Sequence, residues 1–210
     1  MRIPRVSFVL ALGSACVTVA SAQRPGAPPE LSPTTRQAIT RLGDSLRAVH
    51  LPDAPLYSKA AEGVLKGADE TRILAAVRAL ARELGEARES LGANADEAEL
   101  TAGASALHVG ATTAMLAQLR GTQRAADGDS RSLAVPLVAL VDLLARRVPA
   151  RMATAAIDSL VAQHAPAEDF AALRAAVKDD ILAGRTPEAA VRARTQGLLH
   201  NMEGGRGRTP

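Results

Sequence analysis

Residues 133–145, which read LAVPLVALVDLLA, constrain the fold more than any other stretch of the chain. Apart from Pro136 and Asp142, every side chain in this run is apolar. A helix that is apolar on all sides has no face for water and belongs inside a packed body. The run is also too short to cross a bilayer, which takes about 20 apolar residues. We therefore predict that it forms the central, buried helix of an all-helical domain.

The rest of the chain predicts further helices, because apolar residues recur three or four apart between capping residues, glycines and prolines. The predicted N-caps are Ser32, Asp69, Asp96, Thr112 or Thr113, Ser132 and Thr186, and the predicted helix stops include Gly67, Gly92, Gly110 and Gly184. Residues 121–131, which read GTQRAADGDSR, predict a polar loop inside the domain. The predicted fold class is all-α, with eight or nine helices arranged as stacked antiparallel helical hairpins.

Four turns that begin at Gly67, Gly110, Val148 and Gly184 are 43, 38 and 36 residues apart. These spacings are in the range of two-helix repeats and favour an α-solenoid-like stack. Any chain rich in Ala and Leu has hairpins of similar length, so an irregular bundle stays open as the alternative.

The first 22 residues have the three parts of an export signal. Arg2 and Arg5 give a positive start, residues 6–20 are apolar, and residues 20–22 read ASA, a cleavage site of the small-x-small type. Cleavage there predicts an exported protein that begins at Gln23 and lies in the periplasm or outside the cell.

Two alternatives remain for this segment. It could stay uncleaved as a membrane anchor, or Cys16, which follows small residues, could be lipidated. Cys16 is the only cysteine, so the cleaved chain would have no disulfide and no thiol chemistry.

The predicted domain organisation follows from these signals. Residues 1–22 are a cleaved signal peptide, and residues 23–31, which read QRPGAPPEL, are a flexible leader. Residues 32–200 form a single helical domain, and residues 201–210 are a disordered tail.

Composition bears on the partners that can be expected. Aromatic residues make up 1 % of the chain, which argues against stacking platforms for nucleic acids or sugars. Without residues 1–22, which hold two arginines and no acidic residue, 23 basic and 22 acidic residues remain, well mixed. We therefore expect no nucleic-acid binding and no integral membrane span after cleavage. The oligomeric state is not indicated.

Asp142 is the only charged residue within the apolar run. One hypothesis makes it a buried carboxylate that serves as an acid or a base. The other pairs it with Arg146, four residues further on the same helix face. We favour the ion pair, because a lone buried charge is costly and a partner stands at the right spacing.

Four histidines lie near predicted helix C-termini, where the helix dipole favours an imidazolium, so we predict a capping role and no metal site. They are His50, His108, His164 and His200. Residues 178–180, which read KDD, are predicted to form a solvent-exposed face, and residues 127–130, which read DGDS, a turn rather than a calcium loop.

No catalytic, cofactor-binding or metal-binding residue is assigned, because the chain lacks the nucleophile-elbow, phosphate-loop, dinucleotide and zinc motifs. The leading hypothesis is an exported, non-enzymatic scaffold or binding module that engages another protein through a helix face. One alternative is a small enzyme or ligand carrier with an interhelical site near Asp142. Another is a chaperone-like envelope stress protein. Leu31 and Ser32, followed by Gln37, resemble the Leu-Thr-x-x-Gln opening of small periplasmic helical chaperones, with Ser in place of Thr and Gln two positions later.

Overall fold

A computed structural model describes residues 26–128 and 131–206, and all regular structure in these two ranges is α-helical, which confirms the all-α prediction. The helices are α1 Pro33–Ala48, α2 Ala54–Leu65, α3 Glu70–Leu91, α4 Glu97–His108, α5 Thr113–Asp127, α6 Ala134–Ala145, α7 Ala150–Ala162, α8 Ala167–Leu182 and α9 Pro187–Arg206. The predicted signal peptide, Cys16 and residues 129–130 lie outside the described residues. Within the described residues, no helix combines the length and the apolar character needed to cross a bilayer.

The helices stack in two layers, because most helices pack against the second helix along the chain. In the odd layer, α1 packs on α3, α3 on α5, α5 on α7 and α7 on α9. In the even layer, α4 packs on α6 and α6 on α8. Several successive helices, such as α3 with α4 and α8 with α9, join the two layers as antiparallel hairpins. Contacts confined to near neighbours are the pattern of an α-solenoid.

The even layer has a break between α2 and α4, which do not pack closely on each other. Gly63 of α2 lies against Ile73 near the start of α3, whereas Gly103 of α4 lies against Ala87 and Leu91 near its end. The 22 residues of α3 are enough to carry both helices one after the other. The offset between α2 and α4 leaves an opening in the layer.

Five junctions between helices share one backbone design. Each has a residue with positive φ, and the next helix begins three residues later; these residues are Gly67, Gly110, Arg147, His164 and Gly184. At each junction two backbone hydrogen bonds close a Schellman motif, as in Ala68 N to Gly63 O at 3.0 Å and Gly67 N to Val64 O at 2.9 Å. The third predicted turn therefore begins at Arg147, one residue earlier than expected.

The end of α5 differs from the prediction. The helix continues to Asp127, so residues 121–127, predicted as loop, are helical. Two polar residues of this helix are buried: Arg120 Nη1 donates to Gln123 Oε1 at 3.1 Å, and Gln123 Nε2 donates to Gly128 O at 2.7 Å. Gln123 is the one buried residue among 121–127, and these two hydrogen bonds satisfy its side chain inside the fold.

Two further helix ends also differ. α9 runs to Arg206, so residues 201–206 are helical rather than part of the disordered tail predicted for residues 201–210. α6 begins at Ala134 with Leu133 as its N-cap, and the hydroxyl of Ser132 accepts from Ala134 N at 3.1 Å instead of capping the helix as predicted.

α6 lies at the centre of the even layer, but one of its sides is open to solvent. Leu137, Leu140 and Leu143 are fully buried, whereas Val135 and Val138 are 44 % and 42 % exposed. The prediction that no face of this helix meets water is therefore wrong. α4, α7 and α8 cover α6 on its other sides, and its outer side stays open.

Candidate functional site

The break in the even layer opens a groove on the outer surface of the protein, called here the even-layer groove. Its first part lies between α2 and α4, with α3 as floor, and has a volume of about 530 Å³. Its second part lies between α4 and α6 and has a volume of about 670 Å³. Glu97, Thr101, Ser105 and Val141 line both parts, so the groove is continuous.

α4 forms a wall of small side chains along this groove. Ala98 and Ala102, like Thr101 and Ser105, are four residues apart, so the four side chains share one helix face. The hydroxyl of Ser105 donates to Thr101 O at 2.8 Å, within its own helix. A wall of small side chains whose polar atoms bond within the helix lets another helix approach closely.

A buried carboxylate holds the two walls of the second part together. Glu99 forms a capping box with Asp96 at the start of α4. Its Oε2 accepts from Arg120 Nη2 of α5 at 2.7 Å, and its Oε1 accepts from the backbone of Leu133, just before α6, at 2.6 Å. Glu99 and Arg120 are almost completely buried. The Leu133 hydrogen bond therefore fixes the start of α6 against α4, and the ion pair with Arg120 fixes α4 against α5; neither contact was predicted from the sequence.

Asp142 lies on the α6 wall and is partly exposed, as the ion-pair hypothesis requires. Its Oδ2 is 3.8 Å from Arg146 Nη2, the predicted partner, but 2.7 Å from Nε of Arg174 on α8. Sequence spacing identified the partner within the helix and not the closer one, since Arg174 is 32 residues away along the chain.

The first part of the groove contains a carboxylate–histidine contact and two ion pairs. On its floor, Oε1 of the buried Glu83 lies 3.2 Å from His108 Nδ1. On the α2 wall, Glu62 pairs with Lys59 at 3.0 Å and with Lys66. Hydrogen bonds from Lys66 and Lys59 hold the pKa of Glu62 at about 2, so this carboxylate is charged throughout the physiological range.

The four histidines are not brought together. His108 ends α4, and His50 and His164 occupy the positive-φ position after α1 and α7, which agrees with the predicted C-terminal placement. His200, in contrast, lies inside α9. No group of three or more His, Cys, Asp or Glu residues in the described part of the chain is placed to hold a metal ion.

Residues 178–180 do not form a uniformly solvated face as predicted. Asp180 is 6 % exposed, and Arg194 of α9 donates to both its oxygens, from Nε at 2.8 Å and from Nη2 at 2.6 Å. Arg185 adds a contact at 3.3 Å. The Arg194 hydrogen bond is the main reason that the pKa of Asp180 is lowered. In residues 127–130, Asp127 ends α5 and Gly128 is its C-cap, and the remaining two residues lie outside the described ones.

The even-layer groove offers binding surface rather than an activated nucleophile. The hydroxyls of Ser58 and Ser105 both donate to carbonyls of their own helices. The carboxylates of Glu62, Glu83 and Asp142 all have side-chain partners. What remains available is an apolar cleft with fixed charges along its edges.

Comparison of the chain with models of protein families, with curated proteins and with solved structures gives no match.

Proposed function

We propose that this protein is a non-enzymatic binding module that engages another protein through the even-layer groove. The observation that carries the proposal is the break between α2 and α4, which leaves a continuous cleft open to solvent. Grooves between helices are a common docking place for a helix of a partner, which lays its apolar stripe against the apolar walls.

The apolar side chains that line the groove support this proposal. Leu80, Val109, Val138 and Val141 all contribute to the same cleft, although they come from α3, from the turn after α4 and from α6. Single exposed apolar residues are normal on a protein surface, but a set of them gathered in one cleft and edged by charges is typical of an interaction site. The groove valines of α6 are not needed to complete the hydrophobic core, since Leu137, Leu140 and Leu143 on the inner side of this helix are already fully buried.

Site-specific photo-crosslinking in the source cells tests the proposal. A photoreactive amino acid is placed at Val138 in the groove or, as the control, at Ala117, which is exposed on α5 of the odd layer. We expect a discrete covalent adduct with one protein from Val138 and none of that size from Ala117. The adduct should disappear when Thr101→Arg places a long charged side chain across the groove. Identical adducts from both positions, or none from either, would contradict the proposal, and adducts with many different proteins would favour the chaperone-like alternative.

We further propose that the protein acts in the periplasm or outside the cell. This proposal is supported by the positive start, the apolar stretch and the ASA sequence of residues 1–22. Mass spectrometry of the protein isolated from its source separates the possibilities. A chain that begins at Gln23 supports the cleaved signal peptide, a lipid-modified chain that begins at Cys16 supports a lipoprotein, and a chain that retains residues 1–22 contradicts cleavage.

A further inference from the structure

The first two helices are attached to the rest of the molecule through α3 alone. α1 and α2 pack on each other and on α3, and neither packs closely on α4 or on any later helix of the described residues. The pair at the other end of the stack is held differently, because α8 packs on α6 and α9 packs on α7. The break between α2 and α4 therefore leaves the N-terminal pair with one neighbour where the C-terminal pair has two.

The polar contacts of α1 and α2 follow the same pattern. At the start of α1, the backbone N and the hydroxyl of Ser32 each donate to the carboxylate of Glu70 in α3 at 2.6 Å, and the hydroxyl of Thr35 donates to it as well. At the other end, Arg88 of α3 donates to the carbonyl oxygen of His50 at 2.8 Å. In the described part of the chain, no hydrogen bond or ion pair joins α1 or α2 to α4–α9.

α1 and α2 are also bound to each other. Arg47 Nε of α1 lies 2.9 Å from Oδ2 of Asp53, the residue before α2. Tyr57 of α2 is buried and lies so close to Gly43 of α1 that a Cβ on the glycine would meet the tyrosine hydroxyl. Because these contacts do not involve α3, the two helices can leave α3 without leaving each other.

The remaining helices are linked on several sides. The carboxylate of Glu99 joins α4 to Arg120 of α5 and to the backbone of Leu133 before α6. Arg174 of α8 donates to Asp142 of α6 at 2.7 Å. α6 itself packs on α4, α7 and α8, so its separation would break three helix interfaces at once.

We propose that α1 and α2 form a lid that opens as one unit while α3–α9 stay folded. Proteins open locally in cooperative units, and the units with the fewest contacts to the rest open at the lowest free energy. In a stack of helix pairs, a terminal pair opens by losing the interface with its single neighbour. Opening uncovers Ile73 of α3, which is 3 % exposed and lies against Gly63 of α2 when the lid is closed.

The lid also controls one part of the even-layer groove. α2 is a wall of the first part, so the first part exists only when the lid is closed, whereas the second part, between α4 and α6, keeps both its walls. A partner that binds in the first part would therefore shift the lid toward its closed state. This consequence rests on the proposed function, but the opening itself does not and is measurable on the protein alone.

Native-state hydrogen exchange of the purified protein, followed by mass spectrometry, tests the lid. After correction for intrinsic rates, the backbone amides of α1 and α2 should exchange at least about tenfold faster than those of α5–α7 and of α8 and α9. Equal protection of all helices would overturn the proposal. Equally fast exchange of α8 and α9 would overturn it too, because both ends would then fray alike. Fast exchange of α1 with full protection of α2 would exclude movement as one unit.

Removal of the carboxylate that holds the start of α1 provides a matched comparison. Glu70→Ala should raise the exchange rates of α1 and α2 about tenfold and leave those of α5–α7 unchanged. Glu168→Ala is the control, since Glu168 is also in the first turn of its helix, α8, but is exposed and contacts no other helix through a described ion pair or hydrogen bond. It should leave α1 and α2 unchanged. A rise of the same size in every helix after Glu70→Ala, or no rise in α1 and α2, would overturn the proposal.

Discussion

Replacement of Arg147 by glycine should stabilise the protein. Arg147 has φ of +63°, is exposed and forms no ion pair with a described residue. The left-handed conformation costs a residue with a Cβ about 1–2 kcal/mol relative to glycine. The greater freedom of glycine in the unfolded chain offsets about 0.4–1 kcal/mol of this gain. The two Schellman hydrogen bonds, Arg147 N to Leu144 O at 2.9 Å and Val148 N to Leu143 O at 3.1 Å, involve only backbone atoms and remain. The net gain in unfolding free energy should be about 1 kcal/mol.

The reverse substitution provides the control. Gly67 has φ of +64° at an equivalent junction, and a Cβ there would meet no other atom within 4 Å, so Gly67→Arg changes the backbone strain alone. It should cost about what Arg147→Gly gains, and the double variant should return to the stability of the original protein. For a chain of this size, 1 kcal/mol shifts the melting temperature by about 2–4 °C, which is measurable by circular dichroism at 222 nm. A lower melting temperature for Arg147→Gly, or no loss for Gly67→Arg, would refute the argument that these junctions are strained by non-glycine residues.

Three further substitutions test other parts of the fold. Glu99→Gln should lower the unfolding free energy in urea by about 3 kcal/mol, because it leaves the buried Arg120 without its counter-charge; a loss below about 1 kcal/mol would show that the pair is not buried in solution. Gly63→Ala should lower the urea midpoint, because the new Cβ would lie 2.6 Å from an isoleucine of α3. Gly85→Ala, whose Cβ would meet no atom within 4 Å, should instead raise the unfolding free energy by about 1 kcal/mol, and shifts of the same sign would contradict this packing. The pKa of Asp180 is lowered in the folded protein, so its contribution to stability is present above the usual value of 3.8 and is lost as the pH falls further. Asp180→Asn should therefore make the unfolding free energy, measured in urea titrations, less steeply dependent on pH between about 5 and 2. An unchanged pH dependence would be inconsistent with the contacts assigned to Asp180.

The helix starts were predictable from sequence because a helix cap is a local structure. Ser32, Asp69, Asp96 and Thr112 each accept a hydrogen bond from the backbone N–H three residues later, as predicted. The side chain and the group that it caps are so close along the chain that residue type and spacing identify both. The same locality explains why most of the glycine stops were found.

The candidate site was predicted less completely, because it depends on contacts between distant residues. The sequence indicated α6 and Asp142, but an apolar run does not show which of its sides a neighbouring helix covers. Asp180 was predicted to lie on a solvent-exposed face and the Glu99–Arg120 pair was not predicted, since the partners are 14 and 21 residues apart along the chain. The first part of the groove arises from the offset of α2 and α4 along α3, which no local pattern encodes.

The neighbour-to-neighbour contacts of the two layers also determine how the molecule would respond to force. A pull on the C-terminal helix α9 acts first on α7 and α8, which are its packing partners, and leaves the contacts between α1 and α3 unloaded. Extension would therefore remove the hairpins one after another from the free end, as a series of small force peaks rather than a single rupture. A partner helix seated across α4 and α6 would strengthen the middle of this series and mark the position where the unravelling pauses.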